Sequence, residues 1–253
     1  MKQVKFFLVA LMAVVMGMSV TSCMNGDDNH NVTMTVPVKY NFGSFLMGDA
    51  TTKLVPTTEL GFLDGNMYII SCQYDQSQVT ANSTSIPVTL LSTPLCIDPK
   101  GNEGLNPQKT EPTNPLYSLD KQQSSLVYYD KNTIVLTMPY WVKVTNSSVE
   151  DSEVKKHSFV LEAMTASDTK LKLYISHVVE DAGETVTRSN FTYAYRAYSI
   201  RAALAAFKEK TGKLPKYLEL TAEINNSKDE LVDKDGKETS VERSVEYDYA
   251  FTE

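Results

Sequence analysis

Apolar residues fall on alternate positions over much of the chain, the period of a half-buried β-strand. Val32, Met34, Val36, Val38, Tyr40 and Phe42 share one parity, and Pro37 among them marks an edge or a bulge. Tyr68, Ile70, Cys72 and Tyr74 repeat the pattern after the turn Asp64-Gly65-Asn66, and Ile86, Val88 and Leu90 repeat it again. Strands so spaced, with no helical stretch between them, predict a small β domain over 34–93. Residues 94–120 break the pattern. Pro94, Pro99, Pro107, Pro112 and Pro115 fall here with Gly101 and Gly104, which predicts a Pro-rich linker or long loop.

Alternation resumes over 121–253. It runs through 134–144, Phe159 and Leu161, 171–175, 191–195, 218–224 and 245–251, and predicts a β-sandwich domain. Lys234-Asp235-Gly236-Lys237 predicts a hairpin turn between the last two strands. One segment has the helical period instead. Ile200, Ala203, Leu204 and Phe207 lie on one face, with Ser199 as N-cap and Gly212 and Pro215 as stops. The expected fold class is all-β, a barrel followed by a sandwich with one short helix.

The first residues read as an address. Lys2 and Lys5 precede an apolar run over 6–20, shorter than the roughly 20 residues of a membrane span. Val20-Thr21-Ser22-Cys23 then matches a bacterial lipoprotein cleavage box. Residues 1–22 are thus expected to be a signal peptide, Cys23 the lipidated residue, and 23–33 a flexible tether. One acyl chain, at about 0.8 kcal/mol per buried CH₂, holds only marginally, but a mature lipoprotein carries more than one. The expected location is the outer membrane, lipid-anchored, with the membrane as one partner. Asp27 and Asp28 resemble the surface-export signal of Bacteroidetes lipoproteins, which points to the cell surface.

The formal charge is −7, and no long Lys/Arg cluster is present, which argues against nucleic-acid binding. Three His and three Cys leave few parts for catalysis. Cys72 and Cys96 are a possible disulfide, worth about 3 kcal/mol by loop closure, or two separate thiols with Cys72 buried. His157 and His177 share the apolar parity of their strands. They could form half of a metal site, but no further ligands stand at recognisable spacing, and two hydrogen-bonded histidines at strand ends is the expected reading. Asp233-Lys234-Asp235-Gly236 fails as a calcium loop, because Lys237 and Ser244 occupy ligand positions. No nucleophile elbow or phosphate loop occurs. No catalytic residues, cofactors or metal are expected. Trp141 lies off the parity of Tyr140, so it points away from that core. With Tyr193, Tyr195 and Tyr198 it makes a candidate binding set, unless a loop, the helix or the other domain covers it.

The order of these parts resembles the NigD-like lipoproteins of Bacteroidetes. The resemblance rests on the lipobox, the small β domain, His157-Ser158-Phe159-Val160-Leu161, the stretch from Leu171 to His177, and the Ser199 segment leading into Leu218-Glu219-Leu220. It implies an N-terminal OB-like barrel, a C-terminal β-sandwich and a role akin to bacteriocin immunity. It brings no catalytic residues. The expected function is a non-enzymatic envelope lipoprotein that binds or protects, with an envelope protein, toxin or glycan as partner. The alternatives are a glycan-binding accessory of polysaccharide uptake, or a hydrolase with carboxylates from separate strands.

Overall fold

The computed structural model describes residues 20–21, 30–48, 52–58, 61–62, 64–80, 83–97, 99–101, 110–181, 185–226, 231–232 and 239–251. The apolar run 6–19, Cys23, Asp27, Asp28 and the expected turn at 234–237 lie outside the described residues. The chain divides into two compact units, 1–99 with 127–135 and 100–126 with 136–253.

The first unit is built on β1 (Val20–Thr21), β2 (Asn31–Asn41), β3 (Ser44–Leu46), β4 (Lys53–Pro56), β5 (Met67–Asp75), β6 (Ser85–Leu90) and β7 (Leu95–Cys96). β1 falls within the expected signal peptide and pairs with Thr33 and Met34. β2 pairs antiparallel with β5 from Asn31↔Asp75 to Lys39↔Met67, unbroken through Pro37. On its other side β2 meets β3 only from Lys39 on, so no partner on that side needs a donor from Pro37. β4 runs parallel to β6, and β6 pairs with β5, which closes a five-stranded barrel. Val32, Met34, Val36, Val38, Ile70, Cys72, Leu54, Ile86 and Val88 fill it, all but Leu54 on the inward parity read from the sequence. Each such side chain stabilises the fold by roughly 1.5–3 kcal/mol when fully buried. Tyr40, Phe45, Phe62 and Tyr68 pack ring to ring beside them.

Phe42 departs from the expected pattern. β2 ends at Asn41, and Phe42 (φ 42°) and Gly43 (φ 80°) form the turn to β3. Both residues are left-handed, as a two-residue hairpin loop of type I′ requires. Phe42 is 84% exposed, and its N–H donates to Asp64 Oδ1 at 2.7 Å.

The second unit is built mainly on two four-stranded sheets, of which Pro99 and 127–135 belong to the first unit. One has the order β8 (Pro99–Gly101), β14 (Asn190–Ser199), β10 (Thr133–Val142), β9 (Ser125–Asp130). The other has the order β11 (His157–Thr165), β12 (Lys170–Val179), β15 (Tyr217–Ile224), β17 (Val241–Asp248). A short pair, β13 (Thr187–Arg188) with β16 (Leu231–Val232), stands apart. β12 and β15 are parallel, so the chain between them must cross over, and α2 (Arg201–Thr211) lies on that crossover. α2 buries Ala203, Leu204 and Phe207, the face read from the sequence. Its N-cap is Ile200, with no side-chain cap bond, in place of the expected Ser199, while Gly212 (φ 78°) ends it as expected. A second helix, α1 (Asp151–Lys156), and strand β9 were not expected, since five polar residues with a single Val154, and the unbroken apolar run 126–129, carry no clear period.

The segment 110–117, within the stretch expected as linker, is a strap bonded into this unit. Thr113 and Asn114 N–H donate to His177 O, Leu116 N–H to Glu223 O, and Tyr117 N–H to Pro139 O. Thr110 donates twice to the buried Glu162 carboxylate. Prolines at 112 and 115 suit such a strap, because they lack the N–H that a ladder would need.

Candidate functional site

The aromatic residues singled out in the sequence are split by the sandwich. Trp141 does lie on the opposite face from Tyr140, which packs against His157, Phe159 and His177. That outer face is not bare. Trp141 is 4% exposed, its Nε1–H donates to Asn225 O at 2.8 Å, and Tyr117 of the strap meets it edge-on at 5.1 Å. Tyr198 is buried, with its hydroxyl donating to Phe159 O at 3.0 Å, and burial pushes its phenol above the ordinary range. Trp141 and Tyr198 are therefore corrected from binding candidates to packed residues. Strand parity tells which face a side chain takes, not what lies over that face.

Tyr193 and Tyr195 remain accessible, Tyr193 at 41% exposure. Two residues missed in the sequence join them. Phe191 stacks on Tyr117 at 4.2 Å and 13°, and Tyr193 meets Phe191 edge-on at 5.9 Å. The result is a row Trp141–Tyr117–Phe191–Tyr193 that runs from buried to exposed. The parity of β14 already places 191, 193 and 195 together; the contribution of Tyr117 had no signal, because the strap has no period. A row of aromatic faces and edges can take up an apolar side chain or a sugar ring.

The second cluster is titratable and buried. His157 Nδ1 and His177 Nε2 are 2.9 Å apart, so the two histidines, each expected to be hydrogen-bonded at a strand end, meet each other. Their strands pair with Phe159 opposite His177, one step from His157, so the rings meet on one face. His177 Nδ1 is 3.1 Å from Pro115 O, and His157 Nε2 is 3.3 Å from Glu153 Oε1. That same oxygen accepts from Lys143 N–H at 3.0 Å and Arg188 Nε–H at 2.9 Å. Arg188, fully buried, also donates to Asp181 Oδ2 at 2.7 Å, and Lys156 donates to Asp181 Oδ1 at 3.2 Å. Burial drives the His177 ring down to about 3 and also lowers His157, against the pull of Glu153. Burial pushes the Glu153 and Asp181 carboxyls up, but the bonds to Lys143 and Arg188, and to Arg188 and Lys156, more than offset it, and both lie below their usual range. These groups pair with one another, and Glu153, His157, His177 and Arg188 lie away from solvent. Among the described residues, no set of three or more His, Cys, Asp or Glu side chains is placed to hold a metal ion.

The cysteines do not join each other. Cys96 sits opposite Tyr68, four residues along β5 from Cys72. At ~3.4 Å per residue the two Cα atoms are about 14 Å apart, twice the roughly 7 Å limit for a disulfide. The possible disulfide is thus corrected to two thiols on different parts of the barrel, with Cys72 buried and Cys96 exposed. Burial pushes the Cys72 thiol up to about 12, so it forms no nucleophile at neutral pH.

No known family profile matches the chain, and no curated protein matches it. Among solved structures, a candidate lipoprotein from Bacteroides fragilis is similar over 87% of this chain and 100% of its own, at 27% identity and a TM-score of 0.68. An uncharacterised protein from Parabacteroides merdae is similar over 86% and 99%, at 10% identity and a TM-score of 0.50, a likeness of fold alone. A NigD-like immunity protein from Bacteroides caccae is similar over 85% and 96%, at 12% identity and a TM-score of 0.45, too low to carry an argument.

Proposed function

We propose that the chain is a NigD-like envelope lipoprotein, held at the outer membrane by acyl chains on Cys23, facing the cell exterior, and acting by binding and not by catalysis. The observation that carries the reading is the 27% identity to a candidate lipoprotein over that protein's whole length, together with Val20-Thr21-Ser22-Cys23 in this sequence. The burial of Glu153, His157, His177 and Arg188 supports a non-enzymatic role, since the best-formed polar cluster is spent on the fold. Binding falls to Tyr117, Phe191, Tyr193 and Tyr195, with an envelope protein or toxin as partner. A protective, immunity-like role follows from the family resemblance of the sequence.

The test is Cys23→Ser in cells fed a labelled fatty acid. The wild-type chain is expected to carry label and fractionate with membranes, and the variant to remain an unlabelled precursor. Equal labelling and fractionation of the two would overturn the anchor. Protease added to intact cells then reads the orientation, with loss of the second unit expected for surface display. Protection until the cells are broken would place it in the periplasm.

A further inference from the structure

The histidine pair is one hydrogen short. Three contacts lie in line: His177 Nδ1 to Pro115 O, His157 Nδ1 to His177 Nε2, and His157 Nε2 to Glu153 Oε1. A carbonyl and an ionised carboxylate only accept, so all three protons must come from the rings. Two neutral imidazoles carry two N–H groups between them. One contact therefore lacks a proton whenever both rings are neutral.

The geometry identifies which one. Oε1 of Glu153 already accepts from Lys143 N–H and Arg188 Nε–H, so a third donor gains least there. If His157 carried its proton on Nε2, one of two clashes would follow. Either the two rings would face each other lone pair to lone pair at 2.9 Å, or the inter-ring bond would reverse and His177 Nδ1 would turn a lone pair on the Pro115 carbonyl at 3.1 Å. With protons on both Nδ1 atoms, the carbonyl and the inter-ring contact are satisfied. The bare contact is then His157 Nε2 to Glu153, and at 3.3 Å it is the longest of the three.

We propose that the space between His157 Nε2 and Glu153 Oε1 is a proton-binding site, vacant when both rings are neutral and filled on acidification. Filling it makes His157 an imidazolium and completes an unbroken line of hydrogen bonds from the strap at Pro115 to α1 at Glu153. It joins those two segments while the sandwich stays folded, at some cost in stability because the buried ring binds the proton more weakly than the unfolded chain does.

The groups around the site fit this role. From α1 come Glu153 and Lys156, and Asp181 and Arg188 complete a set in which two cations offset two anions, so the ring charge is the one that changes. Tyr140 of β10 packs against both rings, and burial raises its phenol, so it stays neutral. Phe159 of β11 stacks flat on His177 at 4.9 Å, with the Arg196 guanidinium of β14 on its ring. Burial holds His157 below the ordinary histidine range, and His177, whose Nε2 must accept, lower still, so His157 fills first.

Ring-nitrogen NMR of the full chain, labelled at its three histidines, tests this between pH 8 and pH 4. At pH 8 both buried rings should be Nδ1–H tautomers. On acidification only His157 Nε2 should pass from the unprotonated to the protonated range, with Trp141 fluorescence still native. A His157 Nε2–H tautomer at pH 8 would overturn the proposal, and so would unfolding before any ring gains a proton. Glu153→Gln gives a second reading, because its amide can donate to His157 Nε2 and so occupy the vacancy. The His157 step should then fall by at least about one pH unit, a tenfold loss of proton affinity. An unmoved step in a folded variant would also overturn it.

Discussion

Removing the Glu153 carboxylate should unfold the sandwich unit far more easily than removing any surface acid. The side chain is 6% exposed and accepts from Lys143 N–H and Arg188 Nε–H, with His157 at 3.3 Å and Lys156 Nζ at 3.9 Å. Glu153→Ala leaves the wholly buried Arg188 guanidinium one carboxylate short and strips the Lys143 amide of its acceptor. Breaking a buried ion pair from one side costs about 3–5 kcal/mol. With a urea slope of about 2 kcal/mol per molar, the midpoint should fall by about 1.5–2.5 M. Trp141 makes the assay specific: it is the sole Trp, and it is buried in this unit under Tyr117 with its Nε1–H on Asn225 O. Its fluorescence therefore reports this unit's unfolding. Asp168, exposed in the turn between β11 and β12, is the control, and Asp168→Ala should change stability by no more than about 0.5 kcal/mol. Equal midpoints for the two variants would refute the reasoning and make the buried network energetically idle.

Other outcomes follow from single features. Gly48 has φ 52°, and a Cβ there would lie 2.1 Å from the Tyr129 carbonyl oxygen; Gly48→Ala should cost about 2 kcal/mol or more, read as a lower melting temperature of the barrel by circular dichroism. Phe42→Asn gives the turn the Asn-Gly pair that type I′ prefers and should stabilise the barrel by about 1 kcal/mol; a lower melting temperature would show that the exposed ring supports the fold. Acid should weaken the sandwich unit. His177 is held at about 3 when folded but protonates near 6.5 when unfolded, so between those values the unfolded chain binds more protons and stability drops as pH falls. The slope should reach ~1.4 kcal/mol per pH unit, seen as a falling urea midpoint from pH 7 to 5, and a flat profile would contradict the burial of the ring.

Much of this protein is written in the alternation of its residues. The inward parity of 32–40, 68–74 and 86–88 in the barrel, and of 171–175 and 218–222 in the sandwich, is set by the two-residue repeat of a strand. The buried face of α2 and its glycine stop follow from the helical repeat in the same way. Such patterns are local, so a sequence carries them whole. That both histidines face the core was legible from the parity of their strands, while their bond to each other was not.

The remainder was decided between segments far apart in the chain. Trp141 was outward by parity yet buried, because Tyr117, some 24 residues earlier, lies over it. Arg188 and Glu153, 35 residues apart, pair only because the fold removes water from both and leaves each the other's best partner. Cys72 and Cys96 flank a loop of suitable length, but the register of β7 on β5 sets them too far apart to bond. The strap 110–117 had composition without period, and it became ordered structure only because two finished sheets offered it carbonyls at His177, Glu223 and Pro139. Period fixes which side of an element is apolar. What covers that side is fixed only when the other elements arrive.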